Sequence, residues 1–176
     1  MQSGANTNQV SLLAGSSPKS GANAGQLVVF GLDEQRYALR LSVVEQIVRI
    51  VEITPLPQAP EIVLGVVNLH GRVVPVYDLR SRFRLAGREL LLSDHLILAR
   101  TTKRAVALVV DKVTGVVSRT GEEVTEARHI SPGLEYIEGV VKLDDGLVFI
   151  HDLDTFLSRE EEVLLESALS SAEGLP

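Results

Sequence analysis

The side chains that could do chemistry in this chain are few and widely spaced. The histidines, which are His70, His95, His129 and His151, lack the HxH and HExxH spacings that place two imidazoles on one metal ion. No GxSxG nucleophile motif occurs, and Asp152 neighbours His151 only by adjacency, where strand residues point to opposite faces. The pattern predicts no metal site and no catalytic residues. The minor alternative is a small-ligand-binding or hydrolytic β-barrel that uses His151 and Asp152.

Nucleotide and calcium motifs are also missing. Neither GxGxxG nor GxxxxGK occurs, so the common phosphate-binding loops are excluded. Asp144 and Asp145 precede Gly146, but the further ligands of a calcium loop do not follow them. Because Asp-Gly suits the positive φ angles of a tight hairpin, we interpret this segment as a turn. No cofactor is expected.

Composition narrows the classes of partner. The net charge of −6 and the aromatic content of 4% argue against a nucleic-acid-binding surface. Cysteine is absent, which excludes disulfides and thiolate metal sites and suits a reducing compartment. No stretch approaches the roughly 20 apolar residues of a membrane helix, so we expect a cytoplasmic protein. Residues 1–25 are rich in Gly, Ser, Ala and Asn and are interpreted as a flexible tail or a vector remnant.

The elements that would position a site are mostly short strands. From Gln26 onward, short apolar runs alternate with turn residues, as in all-β barrels. Residues 42–48 space their apolar positions i, i+3, i+4 behind Ser42, which predicts a short helix. Glu61–Leu64 is expected to make one helical turn. Ser158 and Glu161 form a capping box that predicts a helix to about Leu169, with Val163, Leu164 and Ala168 on one face.

One stretch, residues 65–80, carries the strongest local pattern. It reads GVVNLHGRVVPVYDLR, in which two β-branched runs meet at Leu69-His70-Gly71. This predicts a hairpin or tight corner. The arginines that follow Asp78 alternate with apolar residues and are interpreted as a solvated face, with contact to an acidic partner as the alternative.

These residues resemble the CheW family, the coupling proteins of bacterial chemosensory arrays, from about Gln26 to Leu169. The NLRG corner of the family appears as Asn68-Leu69-His70-Gly71, and its PxxDLR segment ends here in Asp78-Leu79-Arg80. Its VVD element appears as residues 109–111, and its closing acidic helix begins near Glu160.

The resemblance implies two SH3-like five-stranded barrels sharing a core, with short helices and a C-terminal helix. One CheW-like domain would span residues 26–170, with a tail at 171–176. It also implies a non-enzymatic adaptor at membrane-associated receptor arrays. Its partners would be chemoreceptor tips, the regulatory domain of a CheA-type histidine kinase and other CheW-like domains in rings, with no nucleic acid and no membrane insertion.

Site residues follow from the same resemblance. The receptor groove would contain Val44, Ile47, Gly65, Val113 and Val116, and kinase binding is assigned to Asp94 and His95. The chain departs from the family at Gln46 and His70, where a glutamate and an arginine are usual. A Gln–His hydrogen bond would replace their ion pair. This departure raises the alternative of a specialised coupling protein in a non-flagellar pathway.

Overall fold

The computed structural model describes residues 25–120, 123–126 and 136–173. The strands are β1 Gln26–Leu32, β2 Gln35–Arg40, β3 Val44–Arg49, β4 Val63–Leu69, β5 Arg72–Tyr77, β6 His95–Arg100, β7 Ala105–Val110, β8 Lys112–Ser118, β9 Val124–Glu126, β10 Ile137–Leu143 and β11 Gly146–His151. The helices are α1 Leu79–Arg82 and α2 Arg159–Glu173, and Leu41–Val43 and Leu153–Thr155 form 3-10 turns. The predicted tail before residue 25 lies outside the described residues.

The strands form two sheets that correspond to two SH3-like barrels. The first sheet has the order β8-β1-β2-β11-β10-β9, and the second has the order β3-β6-β7-β5-β4. Neighbouring strands are antiparallel except for the pairs β2–β11 and β5–β7. The first barrel therefore combines strands from both ends of the chain, while the second is built from the continuous segment between them. The all-β prediction is confirmed, and the short β9 adds a sixth strand to the first sheet.

The barrels share a core because several strands are buried on both faces. In β1, Leu27 and Val29 face the interior of the first barrel, whereas Phe30 and Leu32 join the core between the barrels. Val67 and its neighbours fill the interior of the second barrel. The shared core takes residues from both sheets and from α2, so burial of apolar surface holds the barrels together.

The predicted short helix at residues 42–48 is wrong. A 3-10 turn ends at Val43 and β3 begins at Val44. Between Val44 and Gln46 the register with β6 shifts, which makes Glu45 an extra, bulged residue. Because of the bulge, Val44 and Ile47 pack against the same core although they are three residues apart. This i, i+3 spacing is also the spacing of a helix, which is why the sequence pattern predicted one. The β-branched side chains of this segment favour the strand.

Two smaller predictions also need correction. Residues 61–62 form a turn in which the Val63 amide donates to the Pro60 carbonyl at 2.9 Å, and β4 begins directly afterwards. The helix predicted to end near Leu169 extends to Glu173, so the tail predicted from residue 171 begins as helix.

The face predicted for α2 is correct at Ala168, which is buried together with Leu165, and wrong at Val163 and Leu164, which are exposed. The capping box is confirmed in both directions. The Ser158 amide donates to Glu161 Oε2 at 2.8 Å, and the Glu161 amide donates to Ser158 Oγ at 3.1 Å.

No helix among the described residues is long and apolar enough to cross a membrane.

Candidate interaction surfaces

A charge cluster around the buried Arg80 joins the two barrels. The Arg80 guanidinium donates to both carboxylate oxygens of Asp33, in the β1–β2 turn, at 2.9 and 2.8 Å. It also donates to Asp111 Oδ2, between β7 and β8, at 2.6 Å. These contacts raise the pKa of Arg80 and lower that of Asp33. The predicted solvated face is wrong at this position, because Arg80 is buried and binds carboxylates of its own chain.

Two neighbouring arginines, Arg82 and Arg88, also bind carboxylates. Arg82 binds Glu161 of α2 at 2.7 Å and lies over the Tyr136 ring. Arg88 forms a bidentate pair with Asp94 at 3.0 and 2.7 Å and also binds Asp111. Arg88 therefore stabilises the second barrel, and Arg82 its attachment to α2.

Asp94, assigned to kinase binding, is 1% exposed. Burial by itself would raise the pKa of its carboxyl group, but hydrogen bonds from Arg88 and from the Leu91 amide outweigh burial and lower it. The Leu91 amide donates at 2.8 Å. Asp94 therefore anchors the loop that presents Leu90, Leu91 and Leu92, all exposed, directly before β6. His95, the other assigned residue, is half-buried at the start of β6.

His151 and Asp152 do not form a catalytic pair. The His151 imidazole is buried among Tyr37, Phe83 and Phe156, and its Nδ1 lies 3.0 Å from the Tyr136 carbonyl oxygen. Burial lowers its pKa to about 4. Asp152 instead caps the following 3-10 turn, accepting from the Asp154 amide at 3.0 Å.

The described residues contain no cluster of His, Cys, Asp or Glu that could hold a metal ion.

The predicted corner between β4 and β5 is a two-residue hairpin. His70 and Gly71, the two central residues, have φ angles of 54° and 83°, as a turn matched to the twist of hairpin strands requires. Asn68 Oδ1 accepts from the Gly71 amide at 2.9 Å and fixes the turn. Leu69 is paired with Arg72 across the hairpin. The corner motif is therefore a folding signal.

The hydrogen bond expected between Gln46 and His70 is not formed. Among the described residues no hydrogen bond joins these two side chains. Instead, the bulged Glu45 accepts from Arg100 Nε at 2.8 Å and from Arg72 Nη1 at 3.2 Å. Arg72 follows the hairpin turn and Arg100 ends β6, so Glu45 joins three strands of the second barrel. The structure thus has an ion pair that starts one residue before Gln46 on β3 and reaches Arg72, two residues after His70.

The residues that the resemblance assigns to a receptor groove lie on strands at the sheet edges. Val44 and Ile47 on β3, and Val113 on β8, pack against the shared core while remaining half-buried, and Val116 is exposed. Both β3 and β8 are edge strands of their sheets.

Gly65 on β4 is buried at φ 153°. A Cβ there would lie 2.2 Å from the Thr54 carbonyl oxygen, where the segment after β3 crosses β4.

Comparison with known proteins identifies relatives that match this chain over most of its length. A family model described as CheW-like domain matches residues 26–161. The chain belongs to the CheW-like family. It is 30% identical to the chemotaxis protein CheW of Klebsiella aerogenes over 162 residues, covering 90% of this chain and 98% of the relative. It is also 30% identical to CheW of Thermotoga maritima over 145 residues, covering 82% of this chain and 93% of the relative.

A solved structure supports the CheW-like fold. The crystal structure of scaffolding protein TtCheW from Thermoanaerobacter tengcongensis aligns with a TM-score of 0.72 and 28% identity, covering 78% of this chain and 95% of that one. The CheW family consists of non-enzymatic scaffold and adaptor proteins, and this CheW-like chain is a chemotaxis adaptor.

Proposed function

We propose that the chain couples chemoreceptor signalling tips to a CheA-type histidine kinase within membrane-associated arrays. Membership of the CheW-like family over residues 26–161 carries this proposal. Two barrels held together by a shared core and by the Arg80 cluster form a rigid unit that can hold two partners on separate surfaces.

The receptor surface is proposed at Val44, Ile47, Gly65, Val113 and Val116. Half-buried apolar side chains on edge strands of different barrels suit a helical hairpin, which binds by laying an apolar face into a groove. Gly65 serves this surface through its backbone, because the close approach of Thr54 leaves no room for a side chain.

The kinase surface is proposed around Asp94 and His95. Since Asp94 is buried, we assign it a positioning role: its carboxylate holds the Leu91 amide and Arg88, and so fixes the preceding loop. The exposed leucines of that loop, above all Leu92 at 89% exposure, would supply the contact. A loop whose backbone is already held at the Leu91 amide favours binding, because less conformational entropy is lost when the partner binds.

A crossed binding experiment tests both surfaces. Val116→Asp is expected to weaken binding to a purified chemoreceptor cytoplasmic fragment and to leave binding to the kinase regulatory domain unchanged. Leu92→Asp is expected to do the reverse. Leu147→Asp, at an exposed leucine of the first barrel, is the matched control and should bind both partners normally. If Val116→Asp and Leu92→Asp each behave like the control, the proposed surfaces are wrong.

A further inference from the structure

Two arginines, Arg72 and Arg100, share the single carboxylate of Glu45 at one end of the second barrel. One carboxylate faces two guanidinium groups, and both of its oxygens are used, one by Arg100 and one by Arg72. The side chains of Arg72 and Arg100 are 49% and 60% exposed, whereas that of Glu45 is 27% exposed. The cluster therefore presents a net positive charge to solvent in a chain whose net charge is −6.

Most hydrogen-bonding capacity of these two arginines is unused. In the described part of the chain, each guanidinium makes one hydrogen bond, through Nη1 of Arg72 and Nε of Arg100. A guanidinium has five N–H donors, and its planar edge fits a carboxylate in a bidentate manner. Glu45 holds one end of each group, which reduces the entropy that a partner must remove on binding.

Nearby carboxylates do not neutralise the two cations. Glu162, which approaches the β6–β7 turn from α2, binds Arg104 at 2.6 Å. Asp154 accepts from the amide and the hydroxyl of Thr102, at 2.8 and 3.0 Å, in the same turn. The donors of Arg72 and Arg100 thus remain available to a group outside the chain.

We propose that Arg72 and Arg100 form a carboxylate-binding pair at the rim of the receptor surface, and that the receptor segment bound there carries an acidic side chain facing them. The inference rests on the proposed receptor surface, because Glu45, which holds the pair, directly follows Val44 on β3. The neutral Gln46 follows Glu45, and the hairpin residue His70 lies two residues before Arg72.

The test uses the full chain and a chemoreceptor cytoplasmic fragment from the organism that encodes it. Charge neutralisation by Arg72→Gln with Arg100→Gln is expected to weaken binding by about tenfold and to reduce its dependence on salt. Charge reversal by Arg72→Glu with Arg100→Glu should weaken binding further. Arg84→Glu, at an exposed arginine that follows α1, is the control and should bind like the wild type.

The outcomes separate this inference from the function on which it rests. Thermal unfolding of each variant checks that the barrel is intact, and a Glu→Lys change at the contacting receptor position should restore binding to the charge-reversed chain. If the glutamine variant binds normally while Val116→Asp does not, the carboxylate-binding pair is wrong and the receptor surface stands. If the wild type fails to bind the fragment, both proposals are overturned.

Discussion

Replacing Arg80 with methionine tests whether the charge cluster around this buried arginine holds the barrels together. Methionine keeps an apolar stem of similar length but removes four hydrogen bonds, two to Asp33, one to Asp111 and one to the Ala86 carbonyl. Removing one partner of a buried ion pair costs about 3–5 kcal/mol. Asp33 is 53% exposed and can regain water, and Asp111 keeps Arg88. We therefore expect a loss of about 2–3 kcal/mol in the free energy of unfolding.

Urea unfolding measures this loss. With a denaturant slope of about 2 kcal/mol per molar, the midpoint should fall by about 1–1.5 M with the slope unchanged. Arg84→Met, in the same arginine run, is the control, since the Arg84 side chain is exposed. Equal midpoints for the Arg80 and Arg84 variants would refute the reasoning.

The pH dependence gives a second check on the Arg80 variant. Hydrogen bonds from Arg80 hold the pKa of Asp33 below its ordinary value of 3.8. A carboxyl group whose folded pKa is lowered contributes stability above its unfolded pKa and loses it as the pH falls. The difference between wild type and Arg80→Met should therefore narrow below about pH 4.

Three further predictions concern single positions. Gly65→Ala should lower the free energy of unfolding by at least about 2 kcal/mol, because the new Cβ would meet the Thr54 carbonyl oxygen. Thermal unfolding measures this against Gly87→Ala, where a Cβ meets no atom within 4 Å. Equal losses in the two variants would contradict the prediction. His151 should titrate near pH 4 in the folded state, so stability should fall as the pH is lowered from 6.5 toward 4; an NMR midpoint near the ordinary value would contradict its burial. Ser158→Ala should lower the free energy of unfolding by about 1 kcal/mol, because the capping box is lost. Urea unfolding measures this loss, and an unchanged midpoint would show that the cap contributes nothing.

Features encoded by local chemistry could be predicted from the sequence. The β4–β5 hairpin follows from Asn68 and Gly71, and the start of α2 follows from Ser158 and Glu161, because the partners lie within three residues of each other. Local periodicity failed at β3, because the bulge at Glu45 gives a strand the apolar spacing of a helix.

The charged contacts could not be predicted, because their partners are distant in sequence. Asp33 and Arg80 are separated by 47 residues, and Glu45 and Arg100 by 55. Arginines that alternate with apolar residues give the same sequence pattern whether they are solvated or buried. Only the packing of the two barrels determines which of them are buried. Arg72 was missed as a candidate for this reason, although its position beside the hairpin corner was visible.

The most direct test of the adaptor role is a three-component sedimentation experiment. A chemoreceptor cytoplasmic fragment and the kinase regulatory domain are mixed with and without the chain, at about 50 µM of each protein. If the chain is a coupling adaptor, the kinase domain will sediment with the receptor assembly only when the chain is present, and Leu92→Asp will abolish this. Failure of the wild-type chain to bind either partner at this concentration would contradict the coupling role.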